Sequence, residues 1–381
     1  MHDPELDRVA ERVVLEGAAP AASVAAAVLE EGVWCLGTGN AGAAGALGPA
    51  PIFDLASVTK PFVATTAARL AARGVLSLES PLGELLPEAS GTPSADVPFV
   101  LFLAHRAGLE AHRTLFAPLL RGNAFERHAA LVEAAAARRA DATGTPPAAG
   151  FAPLYSDLGY VLAGAALERV TGLDLATLVE REVCVPLALE VRAARAWFAR
   201  DAAFLAHVAP TELVPFRGGS VHGAVHDENA WALSGYGLSG QAGLFGTAES
   251  VARFGMALLD AVRGNARGWL AKDDLAPFVA LRPGGSLRAG FDGKSGPTPA
   301  AGSRASDETF GHLGFTGTSL WCDPRAGRVS VLLSNRVCPT RDNVKLRALR
   351  PGVHDALFAW RPLQNPGGVD PKRGLVSGDQ R

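Results

Sequence analysis

Strand-like segments stand near both ends of this chain, and helical segments stand between them. Residues 23–29 and 33–38 flank a Glu-Glu-Gly turn, which predicts an antiparallel hairpin close to the N-terminus. Residues 319–322 and 329–334 flank the turn Asp-Pro-Arg-Ala-Gly and predict a second hairpin. Because hairpins need partners to bury their apolar faces, we expect one sheet built from both chain ends, with a helical insertion between them.

The segments between and around these hairpins alternate between helical periodicity and loop composition. Apolar residues recur at helical spacing in residues 4–16, 58–73, 158–171, 174–183 and 248–262. Glycine directly follows two of these segments, at Gly74 and Gly172, as is typical of helix ends. Residues 283–307 are rich in Gly, Ser and Pro and predict a loop, and residues 361–381 predict a loosely held, flexible tail.

Composition excludes several classes of partner. The 381 residues carry 36 basic and 38 acidic side chains, so the net charge of -2 gives no basic surface for nucleic acid or an anionic membrane. No stretch approaches the roughly 20 apolar residues of a membrane span, and no signal sequence is visible at the N-terminus. We therefore predict a cytoplasmic protein that acts on small molecules.

Ser57 and Lys60 form the only Ser-x-x-Lys sequence in the chain. On a helix these side chains share one face, and an unprotonated amine can accept the proton of a serine hydroxyl. A position in the first helical turn, with which Pro61 is compatible, adds free N–H groups and the positive end of the helix dipole. The same pattern also fits a capping serine followed by a surface lysine.

Two later segments carry further candidate groups. Tyr155 stands where a loop enters an apolar helix, and a phenol near positive groups can have a lowered pKa and act as a general base. Ser156 and Asp157, taken alone, also fit a helix N-cap. Residues 312–315, His-Leu-Gly-Phe, precede a strand, where a glycine lets substrate approach closely and a free N–H can bind an oxyanion.

The three segments, SVTK, YSD and HLG in that order, resemble the signature of the β-lactamase-related serine hydrolases. This family includes class C β-lactamases, penicillin-binding DD-peptidases and family VIII esterases. The resemblance extends to LFLAHRAGL, YSDLGYVLAGAALERVTG and GHLGFTGTSLWCDP, and it covers about residues 10–360. It implies one catalytic domain over those residues with a β-lactamase/transpeptidase-like α/β (α+β) fold.

In such a fold an antiparallel sheet of five or more strands is flanked by helices and carries an inserted helical lobe. The resemblance then assigns about residues 10–56 and 263–360 to the α/β lobe and 57–262 to the helical lobe. It further implies that Ser57 is the acylated nucleophile, Lys60 its proton partner and Tyr155 the base. The backbone N–H groups of Ser57 and Phe315 would form the oxyanion hole.

Departures from the family pattern concern the substrate. Asp157 replaces an asparagine, and a carboxylate cannot donate a hydrogen bond to a substrate carbonyl. His312 replaces a lysine and Leu313 a threonine, two groups that would bind a substrate carboxylate. These changes favour an esterase on small carboxylic esters. A β-lactamase or D-amino-acid peptidase is the alternative within the class, and an inactive ligand-binding sensor is the alternative outside it.

Substrate contacts and a turn are predicted for a few further residues. Asp157, His312, Gly314 and Trp231 are predicted to contact substrate, although packing explains Trp231 equally well. His105 is predicted to fix a turn.

No cofactor or metal is predicted. Gly235, Gly237 and Gly240 match the dinucleotide pattern G-x-G-x-x-G, but no β-branched strand precedes them. His222 and His226 lie four residues apart in a Gly-rich stretch with no evident third ligand, so we predict hydrogen bonding within a loop.

Overall fold

An antiparallel sheet of six strands joins the two ends of the chain in the computed structural model, which describes residues 1–266 and 268–362. Its spatial order is β2-β1-β11-β10-β9-β8. Small sheets of three strands (β3-β7-β4) and two strands (β5-β6) lie outside it. The strands are β1 (Ala21–Glu30), β2 (Val33–Gly42), β3 (Phe53–Asp54), β4 (Val191–Ala193), β5 (Leu213–Val214), β6 (Gly219–Ser220), β7 (Leu244–Gly246), β8 (Asp292–Gly293), β9 (Phe310–Leu313), β10 (Ser319–Asp323) and β11 (Arg328–Ser334).

Helices flank this sheet and form most of the middle of the chain. They are α1 (Pro4–Leu15), α2 (Thr59–Ala72), α3 (Leu82–Leu85), α4 (Phe99–Leu103), α5 (Ala117–Leu120), α6 (Arg127–Ala136), α7 (Asp157–Thr171), α8 (Leu175–Val179), α9 (Ala194–Arg200), α10 (Phe204–His207), α11 (Glu228–Ser234), α12 (Ala248–Val262), α13 (Lys272–Val279) and α14 (Leu346–Ala359). A 3₁₀ turn at Ala56–Val58 leads into α2, and a π-helical turn at Glu180–Cys184 extends α8. Among these helices, none combines the length and apolar character needed to cross a membrane.

The two predicted hairpins and the predicted single sheet are confirmed. Strand β1 pairs with β2 on one side and with β11 on the other, so Ala25 lies opposite both Thr38 and Val331. All five predicted helical segments are present, the segment 174–183 as α8 plus its π-helical turn. The predicted loop at 283–307 contains the two-residue strand β8. The predicted tail lies outside the described residues from position 363 onward.

Both faces of the central sheet are covered, which follows from the burial of β1 on both sides. Val24, Ala26 and Val28 join a core with α1 and α14. Ala25 and Ala27 point to the opposite face and belong to the large core that includes α12. Successive strand residues face opposite sides of a sheet, so an unbroken apolar run such as this one is expected where both sides are packed.

Helix α12 does not fit neatly into the predicted division of the chain into two lobes. The sequence-based boundary at residue 262 assigns it to the helical lobe, yet it packs against β1, β10 and β11. These contacts define no boundary residue, so the division at 57 and 262 stays a prediction.

Candidate active site

Ser57 is presented by a sharply turned segment between β3 and α2. Ala56, just before it, has a φ of 47°, a left-handed conformation that is unfavourable for a residue with a Cβ. The Asp54 carboxylate holds this turn, because it accepts hydrogen bonds from the N–H groups of Ala56 (2.8 Å) and His226 (2.7 Å). Local strain is thus stabilised directly beside the predicted nucleophile.

Lys60 is completely buried and donates three hydrogen bonds. Its Nζ lies 2.8 Å from Ser57 Oγ, 2.7 Å from Asp157 Oδ1 and 3.1 Å from the carbonyl oxygen of Gln241. These bonds use all three donors of an ammonium group. The predicted Ser57–Lys60 contact is therefore present.

The charge of Lys60 differs from the neutral amine expected from the sequence. Burial acts to lower the pKa of Lys60, but the Asp157 carboxylate and Tyr155 outweigh it, and the pKa is raised. The resting site therefore contains an ammonium–carboxylate pair. Sequence spacing could not reveal this pair, since Lys60 and Asp157 lie 97 residues apart.

Tyr155 lies against this ion pair, with Lys60 Nζ 5.0 Å from the centre of its ring. Burial raises the pKa of Tyr155, and the positive charge of Lys60 offsets this only in part. The lowered pKa expected from the sequence is thus wrong. Tyr155 is a neutral phenol at neutral pH.

His105 supports Tyr155 from behind. The two rings stack with centroids 4.6 Å apart, and His105 Nδ1 accepts the N–H of Ser156 at 3.0 Å. Burial lowers the pKa of His105 well below its ordinary value, so the ring is neutral and Nδ1 is free to accept. With a φ of 58°, His105 does form the predicted turn. Ser156 caps α7 and accepts from Gly159, so its N-cap interpretation is confirmed.

His312 on β9 contributes no positive charge. It is buried, and its Nδ1 lies 2.7 Å from the Leu313 carbonyl, which fixes the proton on that nitrogen. Burial lowers the pKa of His312 to about 3, and the charge of Lys60 adds to this effect. His312 is therefore a neutral imidazole at the position where the family carries a lysine.

Gly314 and two threonines join the β9–β10 turn to the nucleophile turn. Thr316 Oγ1 donates to the carbonyl of Asp54, and Thr318 Oγ1 donates to that of Leu55, both at 2.8 Å. A Cβ on Gly314 would overlap Thr318 Oγ1 and approach the Leu55 oxygen to 2.6 Å. Glycine is required there because the two segments touch.

The two predicted oxyanion-hole donors are available. Within the described part of the chain, the backbone N–H groups of Ser57 and Phe315 donate no hydrogen bond to the protein backbone. Unpaired N–H groups beside a nucleophile can bind a developing oxyanion. Their assignment to an oxyanion hole stays a prediction.

These groups line one cleft of about 1110 Å³, whose walls include Ser57, Tyr155, Asp157, His312, Gly314 and Phe315. Trp231 is not among its lining residues. Its ring packs against a small core of Val225, Ala230 and Ala242, with the guanidinium of Arg217 4.5 Å from the ring centre. The packing alternative is the one observed.

Two features of the cleft are not among the predictions from the sequence. The first is the backbone carbonyl of Gln241, which accepts a hydrogen bond from Lys60. Every residue has such a carbonyl, so the residue type does not indicate this role. The second feature is a group of arginines that line the cleft, Arg336, Arg341, Arg347 and Arg350. Their clustering within fifteen residues was a visible signal.

The histidine and glycine motifs have local structural roles. His222 Nε2 bonds the Val208 carbonyl at 2.9 Å, and His226 Nε2 bonds Glu212 at 2.8 Å, as predicted for loop histidines. Gly237 and Gly240 border a separate cavity of about 530 Å³, whose lining includes neither Ser57 nor Tyr155. A Cβ on Gly240 would overlap the Tyr160 carbonyl, so this glycine is required by close packing.

Comparison with known proteins agrees with this architecture. The family model for beta-lactamase matches residues 6–353. A protein of Salmonella gallinarum (strain 287/91 / NCTC 13346) named putative D-alanyl-D-alanine carboxypeptidase is 32% identical over 200 residues, which are 48% of this chain and 45% of that protein. The matched segment thus spans a little under half the length of this relative.

Solved structures with the same fold are more distant in sequence. EstCE1, described as a hydrolase with promiscuous acyltransferase activity, has a TM-score of 0.68 at 20% identity, covering 93% of this chain and 97% of that one. A penicillin-binding protein homolog from Caulobacter crescentus has a TM-score of 0.64 at 20% identity, covering 93% and 96%. This chain belongs to the beta-lactamase family.

Proposed function

We propose that this chain hydrolyses small carboxylic esters by forming an acyl-enzyme on Ser57. The observation that carries the proposal is the 2.8 Å contact between Ser57 Oγ and Lys60 Nζ, beside Tyr155 in the cleft. Ser57 Oγ attacks the ester carbonyl, the bond to the alcohol oxygen breaks, and the alcohol leaves with a proton. Water then attacks the acyl-enzyme, which releases the acid and restores the hydroxyl.

Protonation limits this reaction at neutral pH. The resting site has a charged Lys60 and a neutral Tyr155, because the pKa of each is raised. One of the two must lose its proton before the proton of Ser57 can be accepted. Tyr155 is our choice of base, since Lys60 as an ammonium then stabilises the alkoxide forming on Ser57.

The polarity of the cleft supports ester substrates. Asp157 accepts a hydrogen bond from the Lys60 ammonium and cannot donate one to an amide carbonyl, and His312 is neutral. Neither group offers the fixed positive charge that a penicillin-like carboxylate would contact. An ester also makes a smaller demand on catalysis, because an alcohol leaves more easily than an amine.

A peptidase is the second candidate. The Salmonella relative, 32% identical over about half of this chain, is named a putative D-alanyl-D-alanine carboxypeptidase. A catalytically inactive sensor is disfavoured, since serine, lysine and tyrosine are all in contact around the cleft.

The proposed nucleophile can be tested by intact-mass spectrometry after exposure to a fluorophosphonate. We expect one adduct on the wild type and none on Ser57→Ala. Ser295→Ala, which alters another serine of the same cleft, should keep the adduct. An adduct that persists in Ser57→Ala would refute the assignment of the nucleophile.

Substrate preference can be measured as kcat/KM for p-nitrophenyl butyrate, nitrocefin and a peptide ending in D-Ala-D-Ala. We expect the ester to exceed both others by about 100-fold or more, because the contacts for their carboxylates are missing at positions 312 and 313. A higher value for nitrocefin or for the peptide would assign a β-lactamase or a peptidase instead.

The pH dependence of ester hydrolysis tests the proposed proton transfer. Because the pKa values of Lys60 and Tyr155 are both raised, kcat/KM of the wild type should keep rising from pH 6 to pH 9. A histidine base, with an ordinary pKa of about 6.5, would instead give a plateau above that pH. Asp157→Asn removes a charge that raises both pKa values, so the rising limb should move to lower pH. Asp292→Asn, a cleft carboxylate that does not contact Lys60, should leave the limb in place.

A plateau near pH 6.5 in the wild type would indicate a histidine base. If the rising part of the pH profile is unchanged in Asp157→Asn, the ion pair of Lys60 and Asp157 does not control the pKa of the catalytic base.

The contact of His105 with Tyr155 and Ser156 predicts a graded loss of activity. Asn at position 105 tolerates a positive φ and keeps an acceptor for the Ser156 N–H, whereas Ala removes both the acceptor and the ring. We expect kcat for p-nitrophenyl butyrate to fall about 10- to 100-fold in His105→Ala and clearly less in His105→Asn. If both variants lose the same amount of kcat and the same amount of melting temperature, His105 has only a general stabilising role.

A further inference from the structure

His226 connects the turn that carries Ser57 with the turn that carries Phe315. Its backbone N–H donates to Asp54 Oδ2 at 2.7 Å, and the other oxygen of this carboxylate holds Ala56, directly before Ser57. Its ring stacks on the ring of Phe315, with centroids 5.6 Å apart and planes inclined by 19°. One buried residue of the cleft therefore contacts both segments that supply the predicted oxyanion-hole donors.

Phe315 itself depends on its side chain for its position. Among the described residues, neither its N–H nor its carbonyl oxygen forms a hydrogen bond with the backbone, although Gly314 before it and Thr316 after it are both hydrogen bonded. Its ring is half exposed, with His226 stacked on it and the guanidinium of Arg336 4.7 Å from its centre. A ring held by two such contacts loses rotational freedom, which also restrains the adjoining N–H.

Glu212 fixes the orientation of the His226 ring. Burial acts to raise the pKa of Glu212, but hydrogen bonds from Arg341 and His226 outweigh it and lower the pKa to about 2. Glu212 is therefore a carboxylate at neutral pH and can only accept, so His226 Nε2, 2.8 Å from Glu212 Oε2, carries a proton. Arg341 secures the same carboxylate through its backbone N–H (3.0 Å) and its Nε (2.7 Å). The ring of His226 is thus held by a buried, fully charged anchor.

We propose that His226, oriented by Glu212, is a positioning residue that keeps the N–H groups of Ser57 and Phe315 in place for the oxyanion. This inference rests on the proposed function and adds to it a residue that takes no part in the proton transfer. Attack of Ser57 on the ester places negative charge on the former carbonyl oxygen, and attack of water on the acyl-enzyme does so again. Both steps depend on the same two N–H groups, so the effect appears in kcat whichever step is slower.

Two variants separate the ring of His226 from its hydrogen bond to Glu212. His226→Gln keeps an N–H donor near the position of Nε2 but has no ring to stack, and His226→Ala loses both groups. Both variants keep the backbone N–H that binds Asp54. His222→Ala is the matched control, because His222 also lies between β6 and α11, bonds the Val208 carbonyl and does not line the cleft.

We expect kcat for p-nitrophenyl butyrate to fall about 10- to 100-fold in His226→Ala and in His226→Gln, while KM changes less than about threefold. His226→Gln should recover most of the melting temperature that His226→Ala loses, because Glu212 keeps its donor, but it should not recover kcat. His222→Ala should keep the wild-type kcat. If His226→Gln recovers kcat together with the melting temperature, the positioning role is overturned.

The hydrogen bonds to the oxyanion can be measured by replacing the carbonyl oxygen of the substrate with sulfur, which is a weaker acceptor. The ratio of kcat/KM for p-nitrophenyl butyrate to that for O-p-nitrophenyl thionobutyrate reports how well the two N–H groups are placed. We expect this ratio to fall about fivefold or more in both His226 variants and to stay unchanged in His222→Ala. A wild-type ratio in both His226 variants would refute the inference, since a loss of stability alone does not change it.

A labelling rate separates failure of this inference from failure of the proposed function. Attack of Ser57 on a fluorophosphonate also develops negative charge on an oxygen that the two N–H groups can bind, and it needs no ester hydrolysis. The rate constant of adduct formation should fall about tenfold in His226→Ala and stay at the wild-type value in His222→Ala. A wild type that forms the adduct but hydrolyses no ester refutes only the ester substrate. Equal labelling rates in the wild type and both variants refute the positioning role.

Discussion

The buried ammonium group of Lys60 is the constraint around which the site is arranged. A cation with no exposed surface is strongly destabilising unless its charge and all its donors are matched. Asp157 supplies the charge, and Ser57 and Gln241 supply the remaining acceptors. These partners come from the nucleophile turn, the start of α7 and the loop before β7. One side chain therefore fixes the mutual position of three segments that are remote in sequence.

The central sheet contributes to the site through short connections rather than through its core. Strands β9 and β10 are joined by the turn that carries Gly314 and Phe315. Thr316 and Thr318 bind that turn to the backbone of Asp54 and Leu55, immediately before Ser57. The two N–H groups assigned to the oxyanion hole are thus held by the same hydrogen bonds. Asp54 also secures the left-handed Ala56, so its burial serves the geometry of the nucleophile.

Local patterns in the sequence were sufficient for the parts of the fold that depend on local rules. Turns flanked by strand-like segments identified β1, β2, β10 and β11, and the 3.6-residue period identified helices such as α2 and α7. The two-residue strand β8 is too short to carry a period. Helix α14 was not predicted; Pro351 and Gly352 interrupt its pattern, and packing against the sheet compensates for them.

Protonation states and side-chain environments were beyond sequence reasoning for a different reason. The pKa directions of Lys60 and Tyr155 result from competition between burial and charges contributed by distant segments. The same two residues viewed as a motif suggested a neutral amine and an acidic phenol, both opposite to what the folded environment favours. The packing of a side chain is equally hard to predict from sequence. Trp231 packs against Arg217 and a small core, and no local sequence pattern reveals either contact.

Charged groups are distributed unevenly along the cleft. At the reacting end, Lys60 and Asp157 cancel, and His312 is neutral, so a substrate meets little net charge beside Ser57. At the α14 end, Arg336 and Arg350 line the cleft, and Arg350 forms no ion pair with a carboxylate of the described residues. The cleft is therefore close to neutral beside Ser57 and positively charged toward α14.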